Sequence, residues 1–527
     1  MASEPNSTLP EDTTPLLRHA SSRSVHSTTD HVALLIRQNI AFRVSIICIL
    51  SVLVVEIGDY LIQAPLARTL EDVLCRAYYS SAPVSEFIKV PRLAIPEIHC
   101  KNDVIQGKLA MLKGWDQTFG CIPGLILSVP FGVLADKVER KTVLFTSLMG
   151  LTLGLVWTQI VCYFDNIFDI RWIWASNVFL FVGGGSAVAK TMYFTILADV
   201  VVEERRATLF FQITAASLIA TLAGVPLAWW LIKISNLRVP MMLAVLFVTL
   251  GAALILLLPE TLHLREHQIV SSIGTGPVRS EALEDEDSSG EDEGALTLSK
   301  KNWRTLLQKF EESRFVFTNP KLLALSIPFL AQSLHGNMNQ FLLQLASKRL
   351  DWTLVDASFL ITLASITNFV QLVVILPAVY FILARFHLQA AVKDLMISRG
   401  SVMFMALGAF GLALSSVPGL FVLSTVLFSL GMGTYPAIRS LLTDLVHPRQ
   451  VSRLYGVLAV MDTIGGMISS PLVAGAFSSG LKKGGLWSGG GFLVAGIAYA
   501  ATGLLTLSVS VKKDDAINHD VHEAVDD

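Results

Sequence analysis

Apolar runs of about 20 residues recur along this chain, each long enough to carry an α-helix across a hydrocarbon layer of roughly 30 Å. They lie near 43–66, 113–135, 142–162, 172–197, 207–231 and 239–258. After a polar gap they continue near 321–346, 354–381, 399–416, 419–441, 454–478 and 489–511. That makes about twelve spans in two sets of six. In lipid every backbone N–H and C=O has to be satisfied within its own segment, so runs of this length fold as helices. A soluble chain of 527 residues would suggest several domains. Composition overrides that prior, because 53 % of the residues are hydrophobic and only 16 % are charged, against roughly 25 % charge in soluble domains. The expected class is an all-α integral membrane protein with the lipid bilayer as its solvent. Glycine and proline inside the runs, as in "FVGGGSAV" and "GMGTYPAIRS", are tolerated there and let helices approach closely.

The polar stretches divide the chain. Residues 1–40 are rich in Ser and Thr, lack the basic-then-apolar order of a cleavable signal peptide, and are expected to be a disordered cytoplasmic terminus. Residues 41–260 hold the first six spans and 321–511 the second six, with 512–527 as a cytoplasmic tail. Between them, 261–320 contains "EALEDEDSSGEDEG" (281–294), too acidic to bury anything and expected to be disordered. The basic, amphipathic "KKNWRTLLQKFEESRF" (300–315) suits a membrane-surface helix or, equally, a solvated linker helix. Lys and Arg in short loops set orientation. With both termini inside, Lys137, Arg140, Lys141, Arg205, Arg206, Arg385, Lys393, Arg449 and Arg453 face the cytoplasm, while Lys233, Arg238, Lys348, Arg349, Lys482 and Lys483 lie opposite. Residues 67–112 then form a large outer loop holding Cys75 and Cys100. These two pair if that side is oxidising, with Cys162 as a competing partner. Cys48 and Cys121 fall inside apolar runs and read as small core residues.

Several classes are excluded. A net charge of -2 offers no basic face for nucleic acid, and no Cys/His cluster has metal-ligand spacing. No G-x-x-x-x-G-K-[ST] loop, H-E-x-x-H or G-x-S-x-G motif occurs, so neither ATP hydrolysis nor an intramembrane hydrolase is expected. The chain is expected to be no enzyme and to hold no cofactor or metal. Energy then comes from an ion gradient or from the substrate's own gradient.

The loop after the second span, "GVLADKVERKTVL", resembles motif A of the major facilitator superfamily, G-x-L-a-D-[RK]-x-G-[RK]-[RK]. Gly132, Leu134, Asp136, Lys137, Arg140 and Lys141 match it, while Glu139 replaces the second glycine. Gly132 is expected to permit a close helix approach, Asp136 to act on a helix N-terminus, and Arg140 and Lys141 to mark the cytoplasmic side. The resemblance implies that this cluster latches the two halves and is released as the cavity switches sides. "LPETL" (258–262) closes the sixth span as in that family, and "ADVVVEERRATLF" (198–210) puts Asp199 and Arg206 where such proteins keep an acid and a base. "CRAYY", "HCKNDVIQGKLA", "AIRSLLTDLVHPRQVSRLY" and "GGMISSPLVAGAF" are similar to a fungal branch related to proton-coupled folate and tetracycline-resistance-like transporters. What this implies is two six-helix bundles around a central cavity, alternating access, and a small-molecule substrate moved by a monomer, with protons as partner. Many fungal relatives are encoded beside secondary-metabolite genes. The fifth span keeps only Gly224 and Pro226 of the glycine-proline pattern of drug/proton antiporters, which weakens export without removing it.

Ionisable groups inside the membrane cost about 2.5–3.5 kcal/mol each on insertion scales, and so face a wet cavity or a partner. Glu56, Asp59 and Gln63 in "VVEIGDYLIQ" share a helix face, on the first helix, which in the superfamily lines the cavity. They read as substrate-binding or proton-relay groups, or as hydrated groups near the outer mouth. Lys190 in "AVAKTMYF" either neutralises this pair, the favoured reading, or binds an anionic substrate. Arg439 and Asp444 are expected to form a cytoplasmic gating pair, with a snorkelling arginine as the alternative. Asp462 reads as cavity lining or as a cap toward motif A. His335 and Asn339 share a face and suggest a polar cavity wall with Gln340, although a lone histidine is also a good buried hydrogen-bonder. Asn368 and Gln371 are interhelical glue or substrate contacts. "EDTTPLL" (11–17) fits an acidic dileucine signal for vacuolar or endosomal membranes, so the membrane is expected to be plasma or vacuolar. The expected function is proton-coupled export of a metabolite or toxic compound. Proton-coupled uptake of a nutrient or organic anion and a transport-inactive membrane sensor are the alternatives.

Overall fold

The computed structural model describes residues 14–81, 96–200, 203–259, 314–386, 389–446 and 450–509. The acidic segment of the central stretch, residues 300–313 of the amphipathic one, and the carboxyl-terminal tail from 510 lie outside them. The first half contains α1 (Thr14–Ser81), α2 (Asp103–Lys137), α3 (Arg140–Tyr163), α4 (Ile170–Leu197), α5 (Glu203–Ile234) and α6 (Arg238–Leu256). The second contains α7 (Gln332–Arg349), α8 (Leu354–Ala384), α9 (Ala390–Leu414), α10 (Pro418–Asp444), α11 (Val451–Lys483) and α12 (Gly485–Ser508). Among the described residues ten helices are long and apolar enough to cross a membrane. Of the other two, α7 carries too many polar residues to meet that criterion, and both α2 and α7 pack along α11.

Two expectations change. Helix α1 starts at Thr14, so 14–40 continues the first span as helix rather than disorder. Once an apolar span has nucleated a helix, extending it costs little per residue. The outer loop 67–112 is also largely helical: α1 runs on to Ser81, a short helix spans Glu97–Cys100, and α2 begins at Asp103, where the Asn102 side chain accepts from Val104 N at 3.1 Å. Leu66, Leu70 and Leu74 repeat every four residues there and bury one face against Leu109, Val161 and Ile173.

The halves repeat one pattern. Helix α3 packs on α4 and α6 as α9 packs on α10 and α12, and α1 meets α5 as α7 meets α11. Two seams join them, α2 against α11 and α5 against α8, which the same repeat relates. The first seam is close because small residues face each other. A Cβ added at Gly114 would stand 2.6 Å from the Cβ of Ala474 and 3.0 Å from the Ser470 carbonyl oxygen. The largest buried cluster, with Phe341, Phe421, Phe428, Phe477 and Tyr499, also takes in Ala67, Ala110 and Val225 of the first half.

At the end assigned outside by the Lys/Arg distribution, the halves are tied by polar contacts. Lys348 pairs with Asp103 at 2.9 Å and donates to the Lys101 carbonyl at 2.6 Å, and Lys101 Nζ donates to the Trp352 carbonyl at 2.9 Å. Glu97 accepts from Leu354 N at 2.8 Å. Across the second seam, Asp356 accepts from Trp229 Nε1 at 3.0 Å and pairs with Lys233 at 3.2 Å. The Glu97 segment is anchored to α1 by the Cys75–Cys100 bridge, with Cα atoms 5.3 Å apart, and by the Arg68–Glu97 contact at 3.5 Å. Cys162 is a free thiol.

Candidate functional site

A cavity of about 420 Å³ lies mainly between α1, α2, α3 and α4, with Gln340 and Leu343 of α7 closing one side. Gly58 turns one face of α1 onto α6, where a Cβ would meet the Ala244 carbonyl oxygen at 2.9 Å. That packing leaves Glu56, Asp59 and Gln63 on the cavity side. Gln63 Nε2 donates to Asp59 Oδ2 at 3.4 Å, and Glu56 makes no hydrogen bond within the described residues. Lys190 of α4 also lines the cavity and acts electrostatically on both carboxylates. Among the described residues no carboxylate lies within 4 Å of its ammonium. The favoured ion pair is therefore not made: the helices hold the charges apart, and Lys190 is exposed to the cavity.

The cavity also holds polar groups that sequence reasoning passed over, Lys113, Asp116 and Gln117 of α2 and Asn177 of α4. Asn177 Nδ2 donates to Asp116 Oδ1 at 2.8 Å and to the Trp174 carbonyl at 3.2 Å. Lys113 makes no hydrogen bond or ion pair within 4 Å among the described residues, and Asp116 acts on it electrostatically. "MLKGWDQTF" carried the same signal as "VVEIGDYLIQ", an i, i+3 pair of ionisable residues in an apolar run. Its place at the edge of the second span concealed that α2 extends ten residues further out, to Asp103.

Other candidates fall elsewhere. His335 is buried and stacked on Phe428, with ring centroids 4.4 Å apart, so it is core rather than cavity wall. Asn339 and Asn368 are not among the lining residues either. The neighbouring Asn337 is what bridges α7 to α11, through Ser469 at 3.1 Å and Ser470 at 2.6 Å. Gln371 donates to the Leu430 carbonyl at 2.5 Å, joining α8 to α10. Asp462 accepts from Ser333 Oγ at 2.6 Å and ties α11 to α7 instead of lining the cavity. Arg439 sits over the rings of Phe329 and Tyr455, at 5.5 and 5.9 Å, and makes no ion pair with Asp444 among the described residues. Five residues apart, the two lie on different faces of α10.

Two described side chains of the motif after α2 make contacts within the first half. Arg140 Nη1 donates to the Thr195 carbonyl of α4 at 3.3 Å, and Lys141 Nζ to the Leu258 carbonyl beyond α6 at 2.7 Å. The close approach expected at Gly132 is not made, since a Cβ there would meet nothing within 4 Å. The side chains of Asp136, Asp199 and Arg206 lie outside the described residues.

Residues 111–391 match the family model of the Major Facilitator Superfamily. The chain is 31 % identical to the MFS efflux pump atnC of Emericella nidulans over 90 % of its own length and 89 % of that protein's. It is 28 % identical to the efflux pump ustT of Aspergillus flavus, covering 84 % and 83 %. In fold it is similar to a D-xylose-proton symporter, at a TM-score of 0.60 and 11 % identity, covering 90 % of this chain and 99 % of that one. The repeat of helix packing, the cavity and these matches agree, and the chain belongs to the major facilitator superfamily, as a multi-pass membrane transporter of small molecules.

Proposed function

We propose that the protein exports a small organic molecule in exchange for protons, by alternating access. The observation that carries this is the pair Glu56 and Asp59, one turn apart on α1 and open to the cavity beside Lys190. Ionised, the pair attracts the positive part of a substrate from the cytoplasmic side. At the far side protons take the carboxylates and release it, so substrate and proton compete for one site and move in opposite directions. The relatives named as efflux pumps support the outward direction. The acting unit is a monomer, and the amino-terminal "EDTTPLL" suits the vacuolar membrane, with the plasma membrane as the other site of action.

The test is purified protein in vesicles with a pH-sensitive dye, an imposed proton gradient, and a panel of hydrophobic metabolites and organic anions. Substrate-dependent proton movement that is lost in Glu56→Gln or Asp59→Asn supports the reading. Unchanged coupling in both variants sinks it. Lys190, without a carboxylate in contact, favours a second reading, proton-coupled uptake of an organic anion. There proton and substrate move the same way, and the sign of the dye signal separates the two.

A further inference from the structure

We infer that the cavity takes an amphoteric ligand, a molecule carrying a basic amine and an acidic group roughly 8–12 Å apart on an apolar body. This rests on the transport reading above and names its substrate class. Charges of both signs line the cavity without meeting. Glu56 and Asp59 form one pole, where a single ammonium, Lys190, faces two carboxylates from beyond 4 Å. Lys113 forms the other, with no hydrogen bond and no carboxylate within 4 Å among the described residues, Asp116 acting on it only from a distance. Asp116, three residues along the same helix, gives its carboxylate to Asn177.

The separation follows from helix register. Gln106 of α2 donates to Glu71 of α1 at 2.5 Å, and the two helices run in opposite directions. Counting inward, Lys113 stands level with Ala64. That is five residues outward of Asp59 and eight outward of Glu56, roughly 8 and 12 Å of helical rise. Cα–Cβ bonds tilt toward the helix N-terminus, which carries the Lys113 ammonium further outward from the Glu56 and Asp59 level. The same register puts the polar Gln63, Asp116 and Gln117 at heights between the poles, and the rest of the cavity wall includes the apolar Ile62, Leu66, Leu112, Leu155, Ile173 and Leu343. A buried charge without a partner is costly. A ligand with one charge satisfies one pole and leaves the other bare, whereas an amine-acid of the right length satisfies both.

The experiment is equilibrium binding to the purified full-length protein in detergent, with trileucine as probe. Its termini are at most roughly 11 Å apart when extended. N-acetyl-trileucine keeps only the acid, and trileucine amide keeps only the amine. The expected result is that each single-charge form binds about 10- to 100-fold more weakly than trileucine. Lys113→Met should weaken trileucine by a similar factor and leave the amide unchanged. Glu56→Gln with Asp59→Asn should weaken trileucine and leave the N-acetyl form unchanged. Equal binding of the three forms, binding by none, or equal weakening of all three by Lys113→Met overturns the inference. The ligand series on wild-type protein decides the matter even if a variant fails to fold. Binding needs no proton movement, so the ligand class and the coupling proposal fail separately.

Discussion

Replacing Lys348 by methionine should loosen the outer end of the protein. The side chain makes two contacts between the halves, the 2.9 Å ion pair with Asp103 and the 2.6 Å hydrogen bond to the Lys101 carbonyl. The pair is partly solvated and is worth roughly 0.2–1 kcal/mol. A hydrogen bond from a charged donor adds about 1.5 kcal/mol at the low end of its range, which suits a half-exposed site. The sum, about 2 kcal/mol, corresponds to a roughly 30-fold shift toward the state open at that end. Spin labels at Asn166 and Ser416, exposed residues just beyond α3 and α9, would report it as a new long-distance population in a pulsed dipolar measurement. Lys483→Met is the control, because Lys483 lies over Trp487 within the second half, 5.1 Å from the ring centre. A distance distribution unchanged in Lys348→Met, or shifted equally by Lys483→Met, would refute the assignment of these contacts as the outer seal.

Gly114→Leu should wedge the α2–α11 seam, where even a Cβ meets Ala474 at 2.6 Å. Overpacking of this kind costs about 1–3 kcal/mol, read as a lower unfolding temperature in detergent and slower transport. Cys100→Ser opens a 25-residue link between α1 and the Glu97 segment, worth about 3.5 kcal/mol in chain entropy. Limited proteolysis from the outer side should then cut near that segment, and a digestion pattern like wild type would contradict its anchoring role. His335→Phe keeps the stack on Phe428 and should leave proton coupling within a few-fold of wild type, whereas a complete loss would return His335 to the coupling site.

How far the site could be read from sequence depended on which face of each helix was in question. Glu56, Asp59 and Gln63 were legible because period 3.6 puts them on one side of a single helix. Lys113 and Asp116 obeyed the same rule and were missed only because apolar composition marks where lipid ends, not where a helix ends. Asn368, Gln371, Asp462 and Arg439 could not be sorted, because each polar group in a span is equally costly whether it meets a ligand, a carbonyl or a ring.

Composition and the spacing of apolar runs by themselves determined a helical membrane protein of about twelve spans, and the motif after the second span carried the family resemblance. Those signals are local, set by the cost of unpaired backbone groups in lipid. Only the tertiary structure decided which intramembrane charges meet. It sent Asp462 to Ser333 and Gln371 to the Leu430 carbonyl, and it left Lys113 and Lys190 facing a cavity without carboxylates in contact. Such partnerships depend on the rotation and register of helices far apart in the chain. Those are fixed by side-chain packing at the seams, as at Gly114 and Ala474, and no single helix encodes them.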